Sequence, residues 1–193
     1  MLKKTNDTLN ENGIRFCILD EEDKLIRLLV DYNEREKCLT LLKKLGMKTV
    51  KDSSKDIYLY GMNRFDYLQE KDKSVTVCYQ VACRSTLNGE WVPIDRIVNL
   101  TALNDVRTES EGMKYLGYID EVCYLLAKCV YTQKAFAKED VDRITYSYGK
   151  ADKVLLLQKL ELVFFGFASN MMKMIEEQNF DDIIVKFMSY SDY

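Results

Sequence analysis

The chain has 193 residues, 47% hydrophobic and 31% charged, a balance that suits one compact domain or a small α/β domain with a helical appendage. Its net charge of −3, with acids and bases interspersed, supplies no basic footprint for duplex nucleic acid. The absence of histidine excludes Ser-His-Asp and Cys-His catalysis, so any acid–base step falls to carboxylate, lysine, tyrosine or cysteine.

Residues 1–12 are polar and charged, which gives no sign of a secretory leader, and 2–12 read as a short polar helix. After Gly13 come an apolar strand at 14–19, an acidic turn at 20–23 and a second apolar strand at 25–30. A helix is predicted over 33–45, where Cys38, Leu41, Leu42 and Leu45 recur at i, i+3, i+4 and i+7 and make one apolar stripe. Gly46 is placed to cap it in the left-handed conformation, with lysines in the last turn where the helix dipole favours them. Short strands at 47–50 and 57–60 flank a polar turn at 51–56, and 63–69 reads as a strand or a turn of helix. The best later strand is 74–82, rich in Val75, Thr76, Val77, Tyr79 and Val81. A tight turn at 87–90 follows, with Trp91 and the only proline, Pro93, just beyond.

The character changes after Glu109-Ser110-Glu111-Gly112, and helices are predicted at 119–134, 139–148, 152–177 and 181–188. Asp120 and Asp152 open runs of helix formers, and Gly149 ends the middle helix. The longest apolar run, 160–168, falls far short of the roughly 20 residues a span requires, so no membrane span and a cytoplasmic location are expected. Six cysteines without C-x-x-C spacing sit in apolar contexts and read as buried free thiols. The fold class is α+β: a small mixed sheet with packed helices over 1–108, then a helical bundle over 109–193, the two packed as one compact unit.

The order strand, turn, strand, helix, with Gly13-Ile14 opening it and Leu41-Leu42-Lys43-Lys44-Leu45-Gly46-Met47 closing it, resembles the nucleotidyltransferase (polymerase-beta-like) superfamily. Small uncharacterised bacterial members are the nearest in pattern. The segment from Asp120 to Ala127 is similar to the helical half that often follows. The resemblance implies two metal-binding carboxylates, as Asp-x-Asp, on the strand that here reads Leu25-Ile26-Arg27-Leu28-Leu29-Val30, and a third on the strand Ser74-Val75-Thr76-Val77-Cys78. Nucleotidyl transfer uses two Mg²⁺ ions held by hard oxygen ligands. Two acids at i and i+2 of a strand point to one face, and a third from a neighbour completes the set. The matching positions here are Leu25, Arg27 and Thr76. Leucine cannot ligate a metal, arginine repels one while suiting phosphate, and threonine substitutes poorly for a carboxylate. The glycine-serine turn that the family uses for the triphosphate is replaced by Asp20-Glu21-Glu22-Asp23.

Three readings follow. The first is a nucleotidyltransferase-fold protein that has lost its metal triad and binds a ligand or partner, with no cofactor expected. Its candidate pocket is Arg27, Thr76, Arg84, Trp91 and Asp95, and its ligand a nucleotide or phosphorylated small molecule. The second is an active Mg²⁺-dependent transferase drawing carboxylates from Asp20, Asp23, Asp31 or Asp95. The third is a helical assembly protein, forming a homo-oligomer or meeting a protein partner. It rests on the aromatic- and Met-rich C-terminal half, where Met171, Met172 and Met174 lie near Phe164, Phe165 and Phe167.

Overall fold

The two apolar runs that begin at Ile14 and Leu25 become the central hairpin of a seven-stranded mixed sheet. The computed structural model describes residues 1–50, 65–84, 91–94 and 96–191, with the backbone alone at 84, 91–93, 96, 97, 100 and 191. Helix α1 (Leu2–Glu11) leads through Gly13, at φ +68°, into strands β1 (Phe16–Glu22) and β2 (Leu25–Val30). A 3₁₀ turn (Tyr32–Glu34) capped by Asp31 starts α2 (Arg35–Lys44), and Gly46 follows it at φ +97°, a conformation that only glycine adopts without strain.

Strands β3 (Lys48–Val50), β4 (Phe65–Glu70) and β5 (Lys73–Cys78) come next, then β6 (Ala82–Arg84), β7 (Trp91–Pro93) and α3 (Arg96–Thr101). Strands β8 (Val106–Thr108) and β9 (Lys114–Leu116) complete the sheet in the order β3-β4-β5-β2-β1-β9-β8, while β6 and β7 pair separately. The pairs β2–β5 and β1–β9 are parallel and the rest antiparallel. Helices α4 (Tyr118–Ala127), α5 (Lys138–Lys150), α6 (Lys153–Phe164), α7 (Ala168–Glu176) and α8 (Asp181–Ser191) follow. The architecture is therefore α+β, a mixed sheet with helices and a helical C-terminal part.

One sheet face carries Phe16, Ile18, Ile26, Leu28, Val30, Leu68, Val75 and Val77, and Leu9 of α1 with Cys38, Leu39, Leu41 and Leu42 of α2 close over it. Burying this many large side chains, at about 1.5–3 kcal/mol each, holds the hairpin and its helices together. The chain divides into two compact units: Met1–Val81 with Asn99–Gly117, and Ala82–Val98 with the residues from Tyr118 onward. In the second unit α4 is buried from Asp120 to Ala127, and its acids are matched: Asp120 by Lys159, Glu121 by Arg143 at 2.7 Å and by the Ser147 hydroxyl at 2.6 Å.

Several elements differ from the sequence reading. Asp20, Glu21 and Glu22 belong to β1 rather than to a turn, and Arg27 across the ladder offsets the charge of Asp20 and Glu22. The strand expected to reach residue 82 ends at Cys78. The predicted helix 119–134 turns π-helical over Lys128–Gln133, where Lys128 bonds Asp140 at 2.8 Å. The predicted helix 152–177 is broken at Phe165, whose φ is +52°, by a 3₁₀ turn. Helix α3 and strands β8 and β9 went unread. The run Lys153–Glu176 is long and apolar enough to cross a membrane by length and composition, with 39% of its apolar window buried. All six cysteines are free and buried. The strand expected at 57–60, the turn at 51–56 and the turn at 87–90 lie outside the described residues.

Candidate functional site

The site grows from a single irregularity in β1. Ile18 pairs with Leu28, but Asp20 pairs with Arg27, so Leu19 is an extra residue in the ladder, a β-bulge. Without it, regular pairing would set Leu19 against Arg27 and turn Asp20 to the helix-covered face beside Ile26. The bulge shifts the phase by one residue and brings Asp20 onto the same face as Arg27. In the next strand Arg27 pairs with Thr76, and Thr76 pairs with Tyr67. Asp20, Arg27, Thr76 and Tyr67 thus form one row across four strands, on the face opposite α1 and α2. Glu22 and Leu25 pair one step nearer the hairpin turn, on the same face.

The electrostatics of this row are settled by Arg27. Its Nη1 donates to Asp20 Oδ2 at 2.9 Å and to Glu22 Oε1 at 3.2 Å. The Arg27 and Asp20 side chains are 17% and 6% exposed, so the pair is largely withdrawn from water. Thr76 is buried beside them. Cys78, two residues along β5, is also buried; desolvation pushes its thiol up to about 12, and the positive charge of Arg27 opposes that rise.

The row thus unites Arg27 and Thr76 of the sequence-predicted pocket and adds Asp20, one of the displaced carboxylates. Asp23 sits apart in the exposed hairpin turn. Asp31 lies at the far end of β2, where its carboxylate accepts from the Asn33 backbone N–H at 3.0 Å and pairs with Arg15 at 3.1 Å. Arg84 and Trp91 are backbone partners in the β6–β7 ladder. Their side chains, and Asp95, lie outside the described residues. Glu22 was not singled out from the sequence; the signal that could have found it is its spacing of two from Asp20.

What can this arrangement do? The positions that the resemblance assigns to metal acids hold a half-buried leucine, an ion-paired arginine and a buried threonine. A divalent ion approaching Asp20 and Glu22 meets the guanidinium already bound to both. At 4 Å each pair of like unit charges costs about 4 kcal/mol in the effective dielectric of a protein surface. Among the described residues, no group of three or more His, Cys, Asp or Glu is placed to hold a metal ion.

Strand order, hairpin, following helix and helical C-terminal part make up a nucleotidyltransferase fold. The structure is similar to the solution structure of the antibiotic-resistance factor ANT(2'')-Ia, an aminoglycoside nucleotidyltransferase, at a TM-score of 0.51 and 11% identity. That match covers 91% of this chain and 93% of the other. The crystal structure of ANT(2'')-Ia in complex with adenylyl-2''-tobramycin matches at a TM-score of 0.48 and 8% identity, over 79% of this chain and 88% of that one. No family model matches the sequence, and neither does any curated protein.

Proposed function

We propose that this chain is a nucleotidyltransferase-fold protein that has exchanged metal-dependent transfer for binding. Its ligand class is a nucleotide or phosphorylated small molecule, and its setting is cytoplasmic. The observation that supports the reading is Arg27, a fixed cation at a metal-acid position, bonded to Asp20 and Glu22. A protein partner or a second copy fits the same reading, since Val154, Leu155 and Phe165 are exposed apolar residues of the helical part.

A second reading has one observation in its favour. Asp20 and Glu22 lie two apart on β1 and share the face of Arg27, so the acid pair expected of a transferase is present one strand away. Titration with Mg²⁺ and a panel of nucleoside triphosphates, followed by calorimetry and thermal shift, separates the two. The first reading expects triphosphate binding that is indifferent to Mg²⁺. Tight Mg²⁺-dependent binding, lost in Asp20→Asn, would establish the displaced-acid transferase instead.

A further inference from the structure

At the open end of the β1–β2 hairpin, away from the Arg27 row, lies a second feature. A cavity of about 350 Å³ is lined by residues 13–16, by Leu103, Asn104, Val106 and Thr108, and by Lys114. Its size falls within the range of small-molecule sites. The floor is apolar: Ile14 and Phe16 are buried, and Leu103 and Val106 are half-buried. The rim carries two cations, an amide and a hydroxyl, and no acid among the described residues lines the cavity. That bias stands out in a chain with 31 acids against 28 bases.

The two cations are held in different ways. Arg15 is braced: Nη1 donates to Asp31 Oδ2 at 3.1 Å, Nη2 donates to Asn104 Oδ1 at 3.0 Å, and the backbone N–H of Arg15 donates to Glu34. The brace fixes the guanidinium plane at the rim and leaves its Nε–H without an acceptor among the described residues. Lys114 is poised: its ammonium lies over the Phe16 ring, 5.4 Å from the centroid, and has no carboxylate partner among the described residues. Asp31 and Glu34 face Arg15; no acid pairs with Lys114.

We propose that this cavity binds a phosphomonoester with a small apolar body, its phosphate between Lys114 and Arg15 and its body on the Ile14–Phe16 floor. The three terminal oxygens and higher charge of a phosphate suit Lys114, Arg15 and the Thr108 hydroxyl together better than the two in-plane oxygens of a carboxylate. The guanidinium is already oriented, so binding immobilises little besides the lysine. The site does not involve Arg27, and its test is independent of the function proposed above.

The test is calorimetry on the full chain with phenyl phosphate, inorganic phosphate and benzoate as probes. Phenyl phosphate is expected to bind saturably and more tightly than either of the others. Lys114→Gln should weaken it by about 10-fold, the worth of one charge-assisted hydrogen bond, while Lys114→Arg should largely restore it. Far-ultraviolet circular dichroism of both variants checks that they fold. Three outcomes would overturn the proposal: no saturable binding of phenyl phosphate, equal binding of inorganic phosphate or benzoate, or affinity unchanged in folded Lys114→Gln.

Discussion

Arg27 and Arg15 belong to the two ends of one β-hairpin and have opposite surroundings. Near the hairpin turn, Arg27 is 17% exposed and shares one nitrogen between Asp20 and Glu22. At the open end, Arg15 is 53% exposed and spans Asp31 and Asn104 at the edge of a cavity with no acidic lining among the described residues. The same residue type serves as an internal counter-charge in a dry setting and as a recognition group in a wet one. Burial decides between these roles. A desolvated guanidinium must be matched by carboxylates, whereas a hydrated one can be oriented by them and still meet a ligand.

The contrast breaks most readily at Arg27. Replacing it with alanine leaves Asp20 buried without its counter-charge, and the protein should lose about 3 kcal/mol of stability. Urea denaturation of Arg27→Ala measures that loss. Adding Asp20→Leu to an Arg27→Leu variant should recover most of it, because an apolar pair of similar volume removes the uncompensated charge. A single-variant loss below about 1 kcal/mol would show the pair to be as weak as a surface ion pair.

The dryness around Arg27 has a pH signature. Burial raises the thiols of Cys78, near Arg27, and Cys38, on the buried face of α2, from 9.0 to about 12. Between those values the folded protein keeps protons that the unfolded chain has released. The contribution is therefore complete below pH 9 and is lost as pH rises toward 12. The slope approaches about 1.4 kcal/mol per pH unit for each thiol. Denaturation between pH 8.5 and 11 should show this decline, and Cys38→Ala with Cys78→Ala should flatten it; an unchanged slope in the double variant would assign the decline to other groups, such as Tyr131, also raised to about 12.

The smallest effect belongs to the wet end. Arg15→Ala removes an ion pair and an amide contact that are largely hydrated, so stability should fall by less than about 1 kcal/mol. Loss of several kcal/mol on the same denaturation assay would show Arg15 to be a structural group like Arg27.

The hairpin and its helix were legible because each has a strong pattern: short apolar runs at 14–19 and 25–30 about an acidic segment, and a heptad-spaced stripe from Cys38 to Leu45. The shared face of Leu25, Arg27 and Thr76 was legible from the strand pattern, since strand phase fixes which side chains lie together. The β1 bulge was not. It adds one residue without glycine or proline to mark it, and only the ladder reveals that Asp20 meets Arg27. Strands β8 and β9, three residues each, are too short for periodicity, so the Lys114 side of the cavity had no signal. The break at Phe165 had one in the following Gly166, yet the apolar composition on both sides favoured a continuous helix.

The parallel pairing of β1 with β9 has a consequence for how the chain is made. Among the described residues, one edge of β1 is paired by β9, residues 114–116, and the chain must first pass through 82–98, which belong to the other unit. During synthesis the central hairpin, complete at Val30, therefore emerges with an open hydrogen-bonding edge and waits until Lys114–Leu116 before it is closed. An exposed edge of that kind invites pairing with other strands. Glu21, exposed near the end of β1, adds a charge that makes pairing by a neighbouring chain less favourable before β9 arrives.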